Sequence, residues 1–197
     1  DLRMSRGLGD VYKRQLQVSI LDIDTGEVLL DSYVKPYFTE DWPEARRVNH
    51  ITKEMVCNAP YIYELLPRLN QVLAQVKTIV GYNFTGFDNG FLTRYGASFN
   101  DETIVEDLSN IFAAIYGEFS PKHGDFKFKN LSTCADYFGY DWSEETAHNS
   151  LADCRATAFC YQMALEEKYQ ALYQENIHKR DCGFFDESYD ACGDYNG

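Results

Sequence analysis

Two β-rich runs joined by a short turn constrain this chain more than any other feature. LQVSILDI alternates apolar and polar side chains, with Leu16, Val18 and Ile20 on one side, and EVLLDSYVKP is a second β-rich run closed by Pro36. Between them Asp24-Thr25-Gly26 supplies turn chemistry, so the pair predicts a hairpin. Downstream, RVNHITKEMVCNAP reads as a short helix between loops. YIYELLPRLNQVLAQV sets Leu65, Leu69, Val72 and Val76 at helical spacing despite Pro67. TIVGYN is a short buried strand and TGFDNGFLTRYG opens a helix straight after it; TIVEDL and SNIFAAIYG repeat that order. NLSTCADYFG is a further helix, and NSLADCRATAFCYQMALEEKYQAL reads as one long final helix. A hairpin followed by alternating helices and strands predicts an α/β fold, a mixed β-sheet flanked by α-helices.

The chain has 197 residues, 45% of them hydrophobic, which suffices for one compact domain with a short appendage. No run of about 18 apolar residues is present and the start lacks the order of a secretory signal, so the expectation is a cytoplasmic protein without a membrane span. A net charge of −13 argues against a broad electrostatic grip on duplex nucleic acid and suits carboxylates that gather divalent cations. The six cysteines are scattered, and Cys57, Cys134, Cys154 and Cys160 fall in apolar or helical patterns where buried free thiols are expected. Cys182 and Cys192 lie in CGFFDESYDACGDY, which reads as an acidic, flexible tail more readily than as a zinc site. Residues 1–15, DLRMSRGLGDVYKRQ, fit neither pattern and are basic in an acidic chain. GLGDVYKRQ resembles a peptide translated from sequencing-adapter DNA, and the segment is set aside as non-native. The expected organisation is therefore 1–15 foreign, 16–170 folded domain and 171–197 tail.

Three stretches have chemistry to offer: GYNFTGFDNGF with Asp88, VEDLSN with Asp107, and AHNSLADCRAT with His148 and Asp153. Each has a plain reading. Thr85-x-x-Asp88 and Ser150-x-x-Asp153 fit capping boxes, and a lone loop histidine is usually a surface residue. Their arrangement points further. Asp88 follows an apolar strand by a few residues, where open α/β sheets place ligands. Asp153 lies at about 75° from the centre of the stripe Ala152, Ala156, Phe159, Cys160, Met163, at about 100° per residue, so it flanks the buried face. A carboxylate there calls for a cation or a donor.

With these residues in view, the chain from about 16 to 170 resembles the DEDDh (DnaQ-like) 3′–5′ exonucleases, which have a ribonuclease H-like fold. The resemblance rests on IVGYNFTGFD and on HNSLADCRAT, the family's H-x4-D with its A-x-x-T sequel, and extends to NHITKEMVCNAP. It implies that Asp88 and Asp153 are metal ligands, that His148 is the general base, and that Asn83 and Phe87 lie beside the substrate. Asp107 is then a structural residue at a strand end.

The resemblance implies hydrolysis of phosphodiester bonds at the 3′ end of single-stranded DNA or RNA, with a DNA polymerase as a candidate partner. Two Mg²⁺ or Mn²⁺ ions about 3.5–4 Å apart suit that chemistry, since they offset charge on phosphorus oxygens while a histidine near neutrality takes a proton from water. Acting on an end needs little basic surface, which reconciles the activity with an acidic chain. The family's D-x-E is not assigned. LDIDTG offers Asp22 and Asp24, but that choice deletes a strand from the sheet. The other reading makes LQVSILDIDTGEVLLDSYVKP the hairpin and puts the missing catalytic strand where residues 1–15 stand, leaving the chain as given inactive. A non-catalytic module that binds nucleic-acid ends or a polymerase is the alternative from another class. A third reading has both aspartates as caps only.

Overall fold

The structure is a computed structural model that describes residues 16–37, 41–142 and 149–185. Strands β1 (Gln17–Leu21) and β2 (Val28–Tyr33) pair antiparallel, with Gln17 opposite Tyr33 and Ser19 opposite Asp31. Their connection is the expected turn. The Asp22 N–H donates to the Glu27 carbonyl at 2.9 Å, the Gly26 N–H donates to the Asp22 carbonyl at 2.9 Å, and Gly26 has φ 73°. The Asp22 Oδ1 accepts from both the N–H and the hydroxyl of Thr25 at 2.8 Å, and these bonds hold its carboxyl below the ordinary value. Asp22 and Asp24 therefore belong to a turn, whereas a D-x-E pair has to lie on a strand.

The hairpin has two different faces. Val18, Leu30 and Val34 are buried against Ile62, Leu69 and Leu73 of α3 (Ile62–Leu73), with Ala97 completing the cluster. Each such side chain removed from water contributes about 1.5–3 kcal/mol. The stripe of α3 differs from the expected one: the helix stops at Leu73, before Val76, and its buried row is Ile62, Leu69 and Leu73 with Leu65 and Leu66 at its margin. Pro67 is inside the helix as expected and faces outward.

RVNHITKEMVCNAP is not one helix. α1 (Pro43–Asn49) ends where His50 turns left-handed at φ 58°, and α2 (Lys53–Val56) starts after Ile51, whose side chain is buried with Leu16 and Val56. β3 (Thr78–Gly81) pairs with β4 (Ile104–Asp107), and α4 (Asp88–Arg94) lies between them in sequence. These strands are less buried than an internal strand should be, with Ile104 58% exposed.

α5 (Leu108–Tyr116) follows β4 directly; a small hairpin unforeseen in the sequence, β5 (Phe119–Ser120) with β6 (Asp125–Phe126), comes next; then α6 (Leu131–Phe138). The expected long final helix is two. α7 (Ser150–Ala164) stops before an extended Glu166, and α8 (Glu167–Asp181) runs on past residue 170, so the expected tail boundary falls inside a helix. α8 packs on α5, where the Asn176 side-chain amide donates to the Ala114 carbonyl at 2.8 Å. Gly117 ends α5 at φ 75°, and a Cβ there would meet Asn176 Nδ2 at 2.8 Å, so this close approach requires glycine.

Among the described residues the strands form three separate two-stranded ladders and not the single mixed sheet expected. Each described strand pairs once, and the segment before β1, where a further strand was expected, lies outside the described residues. The chain divides into two compact units. The first holds the described parts of Asp1–Ile79, Thr85–Val105 and Trp142–Arg155, the second those of Val80–Phe84, Glu106–Asp141 and Ala156–Gly197.

Candidate active site

Asp88 and Asp153 both belong to the first unit. Neither sits where a capping-box carboxylate does. α4 begins at Asp88 itself, and Phe87 before it makes no side-chain capping bond. At α7 the cap is Asn149, whose Oδ1 accepts from the Leu151 N–H at 3.0 Å and the Ala152 N–H at 3.3 Å, while Asp153 is one turn further on. The start of α7 is thus fixed by Asn149.

The two carboxylates converge electrostatically on one side chain. Cys154 is partly exposed and its Sγ–H donates to the Ser19 carbonyl at 3.4 Å. Its thiol is pushed up to about 12, first by burial and then by the negative charges of Asp153, Asp88 and Asp31. Asp153 is its neighbour in sequence, but Asp88 is not.

The polar face of the hairpin supports that turn. Asp31 Oδ1 accepts from the Ser19 hydroxyl at 2.8 Å and from the Gln17 side-chain amide at 3.1 Å. The other end of that amide, Gln17 Oε1, accepts from the Ser150 N–H at 3.2 Å. Gln17 is 7% exposed, and this polar chain runs from the exposed Asp31 through the buried Gln17 to tie the start of α7 to β1 and β2. Sequence reasoning missed Gln17, Ser19, Asp31 and Cys154. Alternation along LQVSI put Gln17 and Ser19 on the polar side, which was read as facing water; only the position of α7 makes it a buried face.

The remaining candidates are Phe87, Asn83, Asp107 and His148. Phe87 is 47% exposed and immediately precedes Asp88 in the first unit. Asn83 is in the second unit, in the left-handed region at φ 59°, with its N–H donating to Asp107 Oδ1 at 2.8 Å. Gly81 just before it is fixed by the Phe84 side chain, which a Cβ would approach to 2.6 Å. Asp107 is the strand-end residue expected: it ends β4, is 9% exposed and accepts from the Ser109 N–H at 3.1 Å and hydroxyl at 2.7 Å. His148 lies outside the described residues.

Carboxylate oxygens are the donors that Mg²⁺ and Mn²⁺ prefer, and Asp88 with Asp153 supplies two such groups. Among the described residues no group of three or more His, Cys, Asp or Glu side chains is gathered closely enough to hold a metal ion. The pair therefore fits part of a divalent-ion ligand set. Of the cysteines, Cys134 and Cys160 are buried as expected, whereas Cys57 at the end of α2 is exposed; Cys192 lies outside the described residues. No helix among the described residues is long and apolar enough to cross a membrane.

The model of the Exonuclease family (RNase T) matches residues 7–161. The chain belongs to this family, within the DEDDh (DnaQ-like) exonuclease superfamily, whose members are nucleases that hydrolyse nucleic acid. The mixed α/β architecture is consistent with its ribonuclease H-like domain. No curated protein and no solved structure matches the chain.

Proposed function

We propose that the chain is a metal-dependent 3′–5′ exonuclease domain acting on the 3′ end of single-stranded DNA or RNA, through Asp88, Asp153 and His148. The observation that carries the reading is the match of the Exonuclease family model to residues 7–161, a stretch that contains Asp88, His148 and Asp153. Asp88 and Asp153 hold the ion by their carboxylate oxygens. Mg²⁺ or Mn²⁺, two ions in the intact enzyme, supplies positive charge against the phosphorus oxygens as the reaction proceeds. His148 takes a proton from water on an imidazole nitrogen; the water oxygen bonds to phosphorus, the P–O3′ bond breaks, and the departing O3′ takes up a proton. Phe87 offers an exposed ring beside Asp88 for a terminal base, and the family resemblance gives Asn83 a substrate-side role as well.

The family's D-x-E has no assigned counterpart from Leu16 onward, because Asp22 lies in a turn. The test therefore uses two chains, the one given and one carrying a D-x-E strand ahead of Leu16, each with a 5′-labelled single strand and Mg²⁺ or Mn²⁺. The second chain degrades the strand stepwise from its 3′ end, the first does so far more slowly, and EDTA stops both. Asp88→Asn or Asp153→Asn in the second chain lowers the rate by about 100-fold or more, the scale on which removing one strongly charge-stabilising group acts. Undiminished cleavage in those variants overturns the assignment.

One observation favours a second reading, a module that binds nucleic-acid ends or a polymerase without cleaving: no cluster of three metal-ligating side chains exists among the described residues. That reading requires the D-x-E chain to retain the labelled strand intact in Mg²⁺.

A further inference from the structure

An aromatic surface remains outside the site just described. Three tyrosine rings gather on the first unit where the chain leaving β2 meets the start of α3. Tyr61 and Tyr63 stack with centroids 5.6 Å apart and planes 9° from parallel. Tyr37 leans on both, at 5.0 Å from Tyr61 and 6.2 Å from Tyr63. The Lys35 ammonium is 5.5 Å from the Tyr61 ring centre. The backbone that presents them is pinned: Lys35 bridges Tyr61, and its N–H donates to the Pro60 carbonyl at 2.8 Å.

Core packing does not account for these rings. In YIY the middle residue, Ile62, is 9% exposed and joins the core, while Tyr63 is 52% exposed and Tyr37 is 58% exposed. Aromatic rings kept together outside the core, with a cation beside them, are the components by which proteins hold single-stranded nucleic acid: every base has a π-face to stack, and a lysine meets the phosphate between bases. The chain's membership of a nuclease family puts such a polymer within reach. Its net charge of −13 excludes a grip made mainly of phosphate contacts, which leaves stacking as the available source of affinity.

The geometry points to Tyr37, Tyr61, Tyr63 and Lys35 as a stacking platform for a short single-stranded segment of DNA or RNA, separate from the residues assigned to hydrolysis. The proposal takes its ligand from the nuclease reading, but its test does not depend on cleavage. Binding of fluorescein-labelled dT12 and rU12 is measured by anisotropy in EDTA, where hydrolysis stops. Tyr61→Ala/Tyr63→Ala weakens binding about tenfold or more, the size that loss of one base–aromatic stack produces. Tyr61→Phe/Tyr63→Phe keeps the rings and keeps binding, which separates stacking from the hydroxyls and from any folding defect in the alanine pair. Lys35→Gln lowers the salt slope by about 0.7, one single-strand phosphate's worth. Cleavage is read separately, with the 5′-labelled strand in Mg²⁺, so loss of cleavage and loss of the platform are distinguished. Equal dT12 affinity in the alanine pair and the unaltered chain overturns the platform and leaves the nuclease reading standing. Absence of dT12 and rU12 binding altogether also overturns it, and the exposed rings then belong to a protein contact.

Discussion

Both units close turns and helix starts with polar side chains, Asp22 and Asn149 in the first as Asp107 and Asn130 in the second, and the first adds the pair Asp88 and Asp153. In the second unit carboxylates and amides are spent on closing local structure. Asp107 caps α5, Asn130 Oδ1 caps α6 by accepting from the Thr133 N–H at 2.8 Å, and Glu118 is held between Lys127 and Lys129, which bring its carboxyl down to about 2. In the first unit Asp88 and Asp153 lie in the first turns of α4 and α7, Asn149 caps α7, and the polar chain Asp31–Gln17–Ser150 holds that start in place. The difference teaches where to look for chemistry in an acidic chain. Acidic groups that close turns and caps are accounted for by stability, and Asp88 and Asp153 are singled out by the sequence stretches they occupy.

The strongest way to break this contrast is to attack the second unit's core. Phe112 is fully buried, with Tyr116, Tyr137 and Phe138 ring centres 5.3 to 5.6 Å away. Phe112→Ala removes about 3–5 kcal/mol by opening a cavity among those rings. That corresponds to a fall in melting temperature of about 8–16 °C for a chain of this length. Hydrogen exchange should show the loss of protection in α5, α6 and α8 first, with the β1–β2 ladder still protected. Equal and simultaneous loss in the hairpin would show that the two units share one cooperative transition.

Much of this contrast was legible in the sequence, and the failures have physical causes. The hairpin was read correctly because Asp-x-x-Thr-Gly chemistry is local: the Asp22 bonds to Thr25 span three residues. α5 and α6 were found because each carries its own stop, Gly117 at φ 75° and Gly139 at φ 79°. The break between α7 and α8 was missed because LEEK has no glycine or proline, and only the docking of α8 on α5 explains a new direction there. The α/β class was legible, but the separate ladders among the described residues were not, because strand pairing is a long-range matter that alternation does not encode. Asp88 and Asp153 stood out from spacing and resemblance, but their support did not. Gln17 reads as an ordinary outward residue until α7 covers it.

That support gives the next largest effect. Gln17→Leu strips the Ser150 N–H of its acceptor and Asp31 of one donor, at a part-buried site where a lost hydrogen bond costs about 0.5–1.5 kcal/mol. The variant should lose stability by about that amount, and amide exchange at Ser150, Leu151 and Ala152 should quicken relative to the rest of α7. Gln17→Glu alone places two carboxylates together and is expected to be as damaging. Adding Asp31→Asn restores a donor–acceptor chain of reversed sense: the new amide on β2 donates to the new carboxylate on β1, which still accepts from the Ser150 N–H. Recovery of melting temperature in the double variant is the sharp result. Failure to recover would mean that hairpin and helix are held together by packing alone.

The smallest effect tests the convergence of the acidic pair most directly. The Cys154 thiol titrates near 12, so only a small thiolate fraction exists at pH 9, and alkylation proceeds through that fraction. The sign follows from charge. Asp88→Asn removes a negative neighbour, the thiolate becomes less costly, the pKa falls, and the rate at fixed pH rises, by roughly threefold for a drop of half a pKa unit. The pH–rate profile of the variant should move toward lower pH by the same amount. Peptide mapping after iodoacetamide treatment separates Cys154 from the exposed Cys57 and Cys182, whose rates Asp88→Asn should leave unchanged. An unaltered Cys154 profile would place Asp88 too far from α7 to share an ion with Asp153. The contrast between the units would then reduce to a difference in how their helices are capped.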